Sequence, residues 1–126
     1  MIPNFRAWSK LASRMYIVNG LYFDRGMVQY ANNDNAIRFI KLKNIILMQS
    51  TGLKDKNGKE IFEGDIVDYK GRKAVVKWHG SYASFIYRFV NELQERVSEW
   101  HPLFLAYYHF EIIGNIYENP ELLEVE

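Results

Sequence analysis

Met48-Gln-Ser-Thr-Gly-Leu-Lys-Asp-Lys-Asn-Gly-Lys-Glu-Ile-Phe-Glu-Gly-Asp-Ile-Val-Asp-Tyr69 is the stretch whose reading decides the fold, because most of it encodes backbone turns. Gly58 after Asn57 is a hairpin signal with two competing registers. A two-residue loop sets Asp55 opposite Glu60, whereas a three-residue loop pairs Asp55 with Lys59 and Lys54 with Glu60. Only the second avoids facing like charges, so the sequence predicts a bulged three-residue loop with Gly58 in the left-handed region. Leu53 and Ile61 then pair on the buried side. Thr51-Gly52 and Gly64-Asp65 are read as bends at the two ends of this hairpin.

Downstream, Ile66-Val67-Asp68-Tyr69-Lys70 and Lys73-Ala74-Val75-Val76-Lys77-Trp78 flank Gly71-Arg72. A two-residue turn at Gly71-Arg72 predicts Tyr69 opposite Ala74 and Val67 opposite Val76. Val67, Tyr69, Ala74, Val76 and Trp78 then form one buried face, with Asp68, Lys70, Lys73 and Lys77 on the other. Ala83 to Phe89 alternates as a third strand would, although Phe85, Ile86, Phe89, Val90, Leu93 and Val97 also fall at helical spacing. The expectation is a strand to about residue 89 and a short helix or loop over Asn91 to Glu99.

Upstream, Phe5 to Trp8 and Met15 to Val18 read as antiparallel strands around the polar loop Ser9 to Ser13. Leu21 to Phe23 is a short strand after Asn19-Gly20, Met27 to Tyr30 a further candidate, Asn32 to Asn35 a turn, and Ala36 to Leu42 a strand. Ile45 to Met48 is apolar at every position, which suits a strand covered on both faces. Toward the C-terminus, Trp100 to Phe110 is the most aromatic stretch, and Gly114 within an apolar strand implies a bulge or close backbone approach. Asn119-Pro120-Glu121 is a helix start, and the short helix it opens should dock through Leu122 and Leu123.

Composition sets the outer bounds. With 126 residues, 48% of them hydrophobic, the chain suits one domain over 1–126 or two small subdomains, 1–50 and 51–126, sharing one core. The expected class is mainly β, a β-rich α+β arrangement of small antiparallel barrel or sheet subdomains with a short C-terminal helix. The absence of cysteine removes disulfides, thiolate metal sites and cysteine nucleophiles, and suits a reducing cytoplasm. No apolar run reaches the length of a membrane span. The net charge of +1 gives no strong electrostatic footprint, although residues 1–117 carry 16 basic against 11 acidic side chains. His79, His101 and His109 lack metal-ligand spacing, and Glu63 with Asp65, or Glu60 with Glu111, lack a catalytic context. No cofactor is expected.

Phe5-Arg6-Ala7-Trp8, the run Thr51-Gly52-Leu53-Lys54-Asp55 through Glu63-Gly64-Asp65-Ile66-Val67, and Ile113-Gly114-Asn115-Ile116-Tyr117-Glu118-Asn119-Pro120-Glu121-Leu122 together resemble the YopX proteins of bacteriophages and prophages. The resemblance implies a phage or prophage product of β-rich fold that self-associates, working in the bacterial cytoplasm. It lends no functional residues, because the family has no established activity. Ser9 departs from it, since an acidic residue often follows the tryptophan there.

The Gly64 to Trp78 hairpin also resembles the opening of small SH3-like barrels, and Lys70, Arg72, Lys73 and Lys77 cluster at its tip as possible contacts to nucleic acid or a partner. Trp100, Leu103, Phe104, Leu105, Tyr107 and Tyr108 are candidates for an oligomer interface. The expected function is a non-enzymatic, homo-oligomeric interaction module with a phage or host partner. A nucleic-acid-binding small barrel is the first alternative and a hydrolase the second.

Overall fold

The computed structural model describes residues 4–31, 34, 36–91 and 100–124. The chain is mostly β, in two open antiparallel sheets, not the closed barrel allowed by the sequence. Chain contacts divide it into two compact units, Met1–Ser50 and Thr51–Glu126.

In the first unit, β1 (Phe5–Ser9), β2 (Arg14–Tyr22), β3 (Met27–Ala31), β4 (Ile37–Lys41) and the start of β5 (Ile45–Lys54) lie in the order β4-β3-β2-β1-β5. The two N-terminal strands pair with Trp8 opposite Met15, closed by a loop in which the Ser9 hydroxyl accepts the Ala12 N–H. Asn19-Gly20 is not a turn between two strands, as the sequence suggested; β2 runs through it with a register shift between Val18 and Gly20. That extra residue reverses the alternation, which is how Val18 and Leu21, three apart, reach the same face. There they pack on Ala7, Val28 and Ile45. Residues 32, 33 and 35 of the expected turn lie outside the described residues.

The second unit holds the rest of β5, its neighbour β6 (Glu60–Phe62), and a five-stranded sheet of β7 (Asp65–Tyr69), β8 (Arg72–His79), β9 (Ser84–Phe89), β10 (His101–Pro102) and β11 (Phe110–Asn115), in the order β10-β9-β8-β7-β11. The Asp55 N–H donates to the Lys59 carbonyl at 2.8 Å, and Gly58 has φ +82°, so the three-residue loop is the one formed. Thr51-Gly52 does not end a strand, since β5 continues to Lys54. Helical backbone begins at Val90 and Asn91; the expectation for the segment beyond falls on residues 92–99, outside the described residues.

Two expectations for the β7–β8 hairpin need correction. The turn is Lys70-Gly71, with φ of +51° and +89°, and Tyr69 faces Arg72 while Val67 faces Ala74. A two-residue loop with positive φ at both positions matches the twist of its strands, and glycine takes the second position at no steric cost. The shift is by two residues, so face membership is preserved: Val67, Ala74 and Val76 are fully buried with Ile61, Leu103 and Phe110, and Tyr69 packs against them. Trp78, however, is 46% exposed. Burial is also not confined to one face, because Ile66 and Val75 are buried on the other beside Val90, Ile116, Leu122 and Leu123. Among the described residues the first unit holds one apolar cluster and the second unit two, one on each face of its sheet.

At the C-terminus, Pro120–Leu123 forms a short 3-10 turn that docks through Leu122 and Leu123. Asn119 precedes it but makes no side-chain cap bond; its Oδ1 instead accepts the Asn115 N–H at 3.1 Å. The register of β7 and β11 shifts between Ile112 and Gly114, and a Cβ added to Gly114 would fall 2.5 Å from Asn119 Oδ1. Bulge and close approach thus occur together at this glycine.

Candidate interaction surfaces

Alternation along β8 sets the fate of the basic hairpin tip. Arg72 shares the face of Ala74 and Val76; Lys73 and Lys77 share the face of Val75; Lys70 sits in the turn. Arg72 therefore stands on the face opposite Lys73 and Lys77. The Arg72 guanidinium lies 3.5 Å from the centroid of the Phe89 ring, and its Nη2 donates to Asn91 Oδ1 at 3.3 Å. Lys73 Nζ donates to the Glu124 carbonyl, and Lys70 Nζ is 5.5 Å from the Tyr69 ring centroid. Partial burial, together with the neighbouring Arg88 charge, pushes the Lys77 ammonium below the usual lysine range.

The aromatic stretch divides by a different period. Its start pairs His101-Pro102 with Tyr87-Ile86, and two 3-10 turns follow, Leu103–Leu105 and Tyr107–His109. The Ala106 N–H donates to the Leu103 carbonyl and the His109 N–H to the Ala106 carbonyl, so residues three apart come into line. Leu103 and Ala106 are buried at 1% and 3% exposure, whereas Phe104, Leu105 and Tyr108 stand out at 60%, 61% and 54%. Leu103 is thus part of the core of the single chain. Tyr107 is half-buried against the same core, and Trp100 packs against His79 and Tyr82 with ring centroids 4.9 Å apart in each pair. What remains outward is a short apolar ridge of Phe104, Leu105 and Tyr108, held from beneath by Leu103, Ala106 and Phe110.

The titratable residues considered for chemistry are dispersed or structurally engaged. Asp65 is 1% exposed and accepts the Phe62 N–H at 2.8 Å, while Glu111 pairs with Lys56 at 3.7 Å. His101 stacks on Tyr87, and His109 lies against Tyr69 and Tyr108. Among the described residues no group of three or more His, Cys, Asp or Glu gathers as metal ligands would. No helix among them is long and apolar enough to cross a membrane.

Two features escaped the sequence reading. Asp55, 5% exposed, accepts the Asn57 and Lys59 N–H groups on Oδ1 and the Ile112 N–H on Oδ2, tying the central hairpin to β11. An Asp two residues before Asn-Gly is a visible signal for the first two bonds; nothing local announces the third. The other feature is a recess of about 220 Å³ in the first unit, lined by Tyr22, Arg25, Met27 and Phe39. Its lining joins residues from three strands and a turn, so no short motif marks it.

The described residues thus form a β-rich fold of two open antiparallel sheets that carries two outward-facing apolar features. The chain matches the YopX protein family over residues 4–124 and belongs to that family. Its fold is also similar to the crystal structure of protein EF1440 from Enterococcus faecalis, with 29% identity, a TM-score of 0.63, and coverage of 98% of this chain and 99% of that one. A search of curated proteins finds no match.

Proposed function

We propose that this YopX-family chain is a non-enzymatic interaction module that self-associates and serves a phage or prophage in the bacterial cytoplasm, where it engages a phage or host protein. One observation carries the reading: Phe104, Leu105 and Tyr108 are exposed together on a ridge whose intervening residues are anchored in the core. Exposed apolar groups of this size on a rigid support favour cover by another protein surface, because leaving them in water forgoes the hydrophobic gain. The dispersal of Asp65, Glu111 and the histidines into packing, ion pairs and backbone hydrogen bonds further supports a scaffold over a hydrolase. A symmetric assembly would place one ridge against the same ridge of a second copy. Light scattering at micromolar protein tests it: the wild type should exceed the monomer mass of 14.9 kDa, and Leu105→Asp should return it to that mass while still melting cooperatively. A wild-type monomer would overturn the reading.

A further inference from the structure

The two units differ in charge. Residues 1–50 contain seven Lys or Arg against two Asp, a formal +5, whereas residues 51–126 contain nine against thirteen, a formal −4. The basic unit also presents an apolar sheet face. Strand alternation puts Ala7, Val28 and Ile40 on one side of its sheet, packed as a core, and Met27, Phe39 and Lys41 on the other. The rings of Tyr22 and Phe39 meet on that second side with centroids 6.0 Å apart. Tyr22 donates its hydroxyl hydrogen to Gln29 Oε1 at 2.9 Å, and its ring lies over Gly20, where a Cβ would come within 3.1 Å of it. The glycine therefore lets the ring lie down along the sheet, while 39% of Tyr22 and 53% of Phe39 stay exposed. Arg25 borders the recess beside these rings, and Lys41 lies on the same face opposite Met27.

We infer that this face is a binding platform for single-stranded nucleic acid, with Tyr22 and Phe39 stacking on bases and Arg25 and Lys41 meeting phosphates. Bases offer π-faces to the rings whatever their sequence, and the backbone supplies negative charge to a unit carrying +5. A second copy of the unit fits less well, because it would bring +5 against +5. An acidic peptide would answer the cations but not the exposed ring faces. The platform lies apart in sequence from the Phe104, Leu105 and Tyr108 ridge, so it stands or falls independently of self-association.

The test is fluorescence anisotropy of labelled oligothymidylate and oligouridylate, about 12 nucleotides long, with the intact chain at about 50 mM salt. Binding should weaken as salt rises, with a log–log slope of roughly −1.4 for two phosphate contacts. Phe39→Ala and Tyr22→Ala should each weaken it about 5- to 100-fold. Arg25→Glu with Lys41→Glu should weaken it too, and Lys70→Glu should not. Where Tyr22→Ala fails to melt cooperatively, Tyr22→Leu keeps apolar cover over Gly20 while removing the ring. The inference is overturned by no anisotropy change at low salt, by affinity unchanged in both ring variants, or by full competition from equimolar thymidine monophosphate, which would mark a free-nucleotide site. It is equally overturned if the ring variants dissolve an assembly in light scattering while no oligonucleotide binds.

Discussion

Removing the Asp55 carboxylate should loosen the fold far more than its place in a surface hairpin suggests. Its Oδ1 accepts the Asn57 and Lys59 N–H groups, both at 2.9 Å, and its Oδ2 accepts the Ile112 N–H at 3.0 Å. Hydrogen bonds to a charged group contribute about 1.5–3 kcal/mol each. Asn57 and Lys59 are exposed, so water replaces the lost acceptor there and the low end applies. Ile112 is half-buried within the sheet, where the orphaned donor retains more of its desolvation cost. Asp55→Ala should therefore cost about 3–5 kcal/mol, a large share of the roughly 5–15 kcal/mol that holds a domain of this kind together. Asp55→Asn can keep the two Oδ1 bonds but turns an amide donor toward the Ile112 N–H, so it should lose about half as much, roughly 1.5–3 kcal/mol. Urea unfolding followed by circular dichroism measures both. A loss below about 1 kcal/mol in Asp55→Ala would refute the tie between hairpin and β11.

Other perturbations follow from burial and close approach. Phe110, fully buried against Tyr69 and Tyr87, should cost about 3–5 kcal/mol on truncation to alanine, whereas half-exposed Trp78, packed edge-on to Phe85, should cost only about 1–2 kcal/mol; thermal melts giving the reverse order would contradict the assignment of core. Gly114→Ala must displace Asn119 Oδ1 and should cost about 1–3 kcal/mol, and adding Asn119→Ala should lose less than the two single costs together, a coupling that a double-mutant cycle reads directly. Lys77 binds its proton less tightly folded than unfolded, so its charge weakens the fold at neutral pH and the penalty fades as pH rises from the lowered folded value toward 10.5. Melts of Lys77→Met across that window should show a smaller alkaline gain than wild type, modest because the side chain is only partly buried.

Local rules were legible in the sequence, and long-range ones were not. The charge argument at Asn57-Gly58 picked the observed loop because facing like charges is a purely local penalty. The turn lies one residue earlier than the expected Gly71-Arg72, which shifts the register by two, because glycine takes the second turn position behind a left-handed Lys70 and not the first. Face membership survived, since a shift of two leaves alternation intact. Trp78 was assigned to the core by extending that alternation to the strand end, beyond the cover that Leu103, Ala106 and Phe110 provide. Ile66 and Val75 looked like incidental apolar residues on a charged face. Their burial depends on Leu122 and Leu123, some fifty residues away, and no local pattern encodes that distance.

The candidate surfaces repeat this division in a more consequential form. Lys70, Arg72, Lys73 and Lys77 are close in sequence, and strand geometry sends Arg72 onto the Phe89 ring and Lys73 to the opposite face. The aromatic stretch offers Leu103, Phe104, Leu105, Tyr107 and Tyr108 alike as interface candidates, yet its two 3-10 turns impose a period of three, which buries Leu103 and Ala106 together and turns Phe104, Leu105 and Tyr108 outward. That period separates two substitutions the sequence treats as equivalent. A charge at Leu103 enters the cluster of Val67, Val76 and Phe110 and must unfold the second unit, whereas a charge at Leu105 meets water in a lone copy. Leu105→Asp therefore probes assembly without touching the packing of the lone copy. Leu103→Asp probes stability alone, and an assembly lost only with Leu103→Asp would mean that the ridge is not the surface that holds copies together.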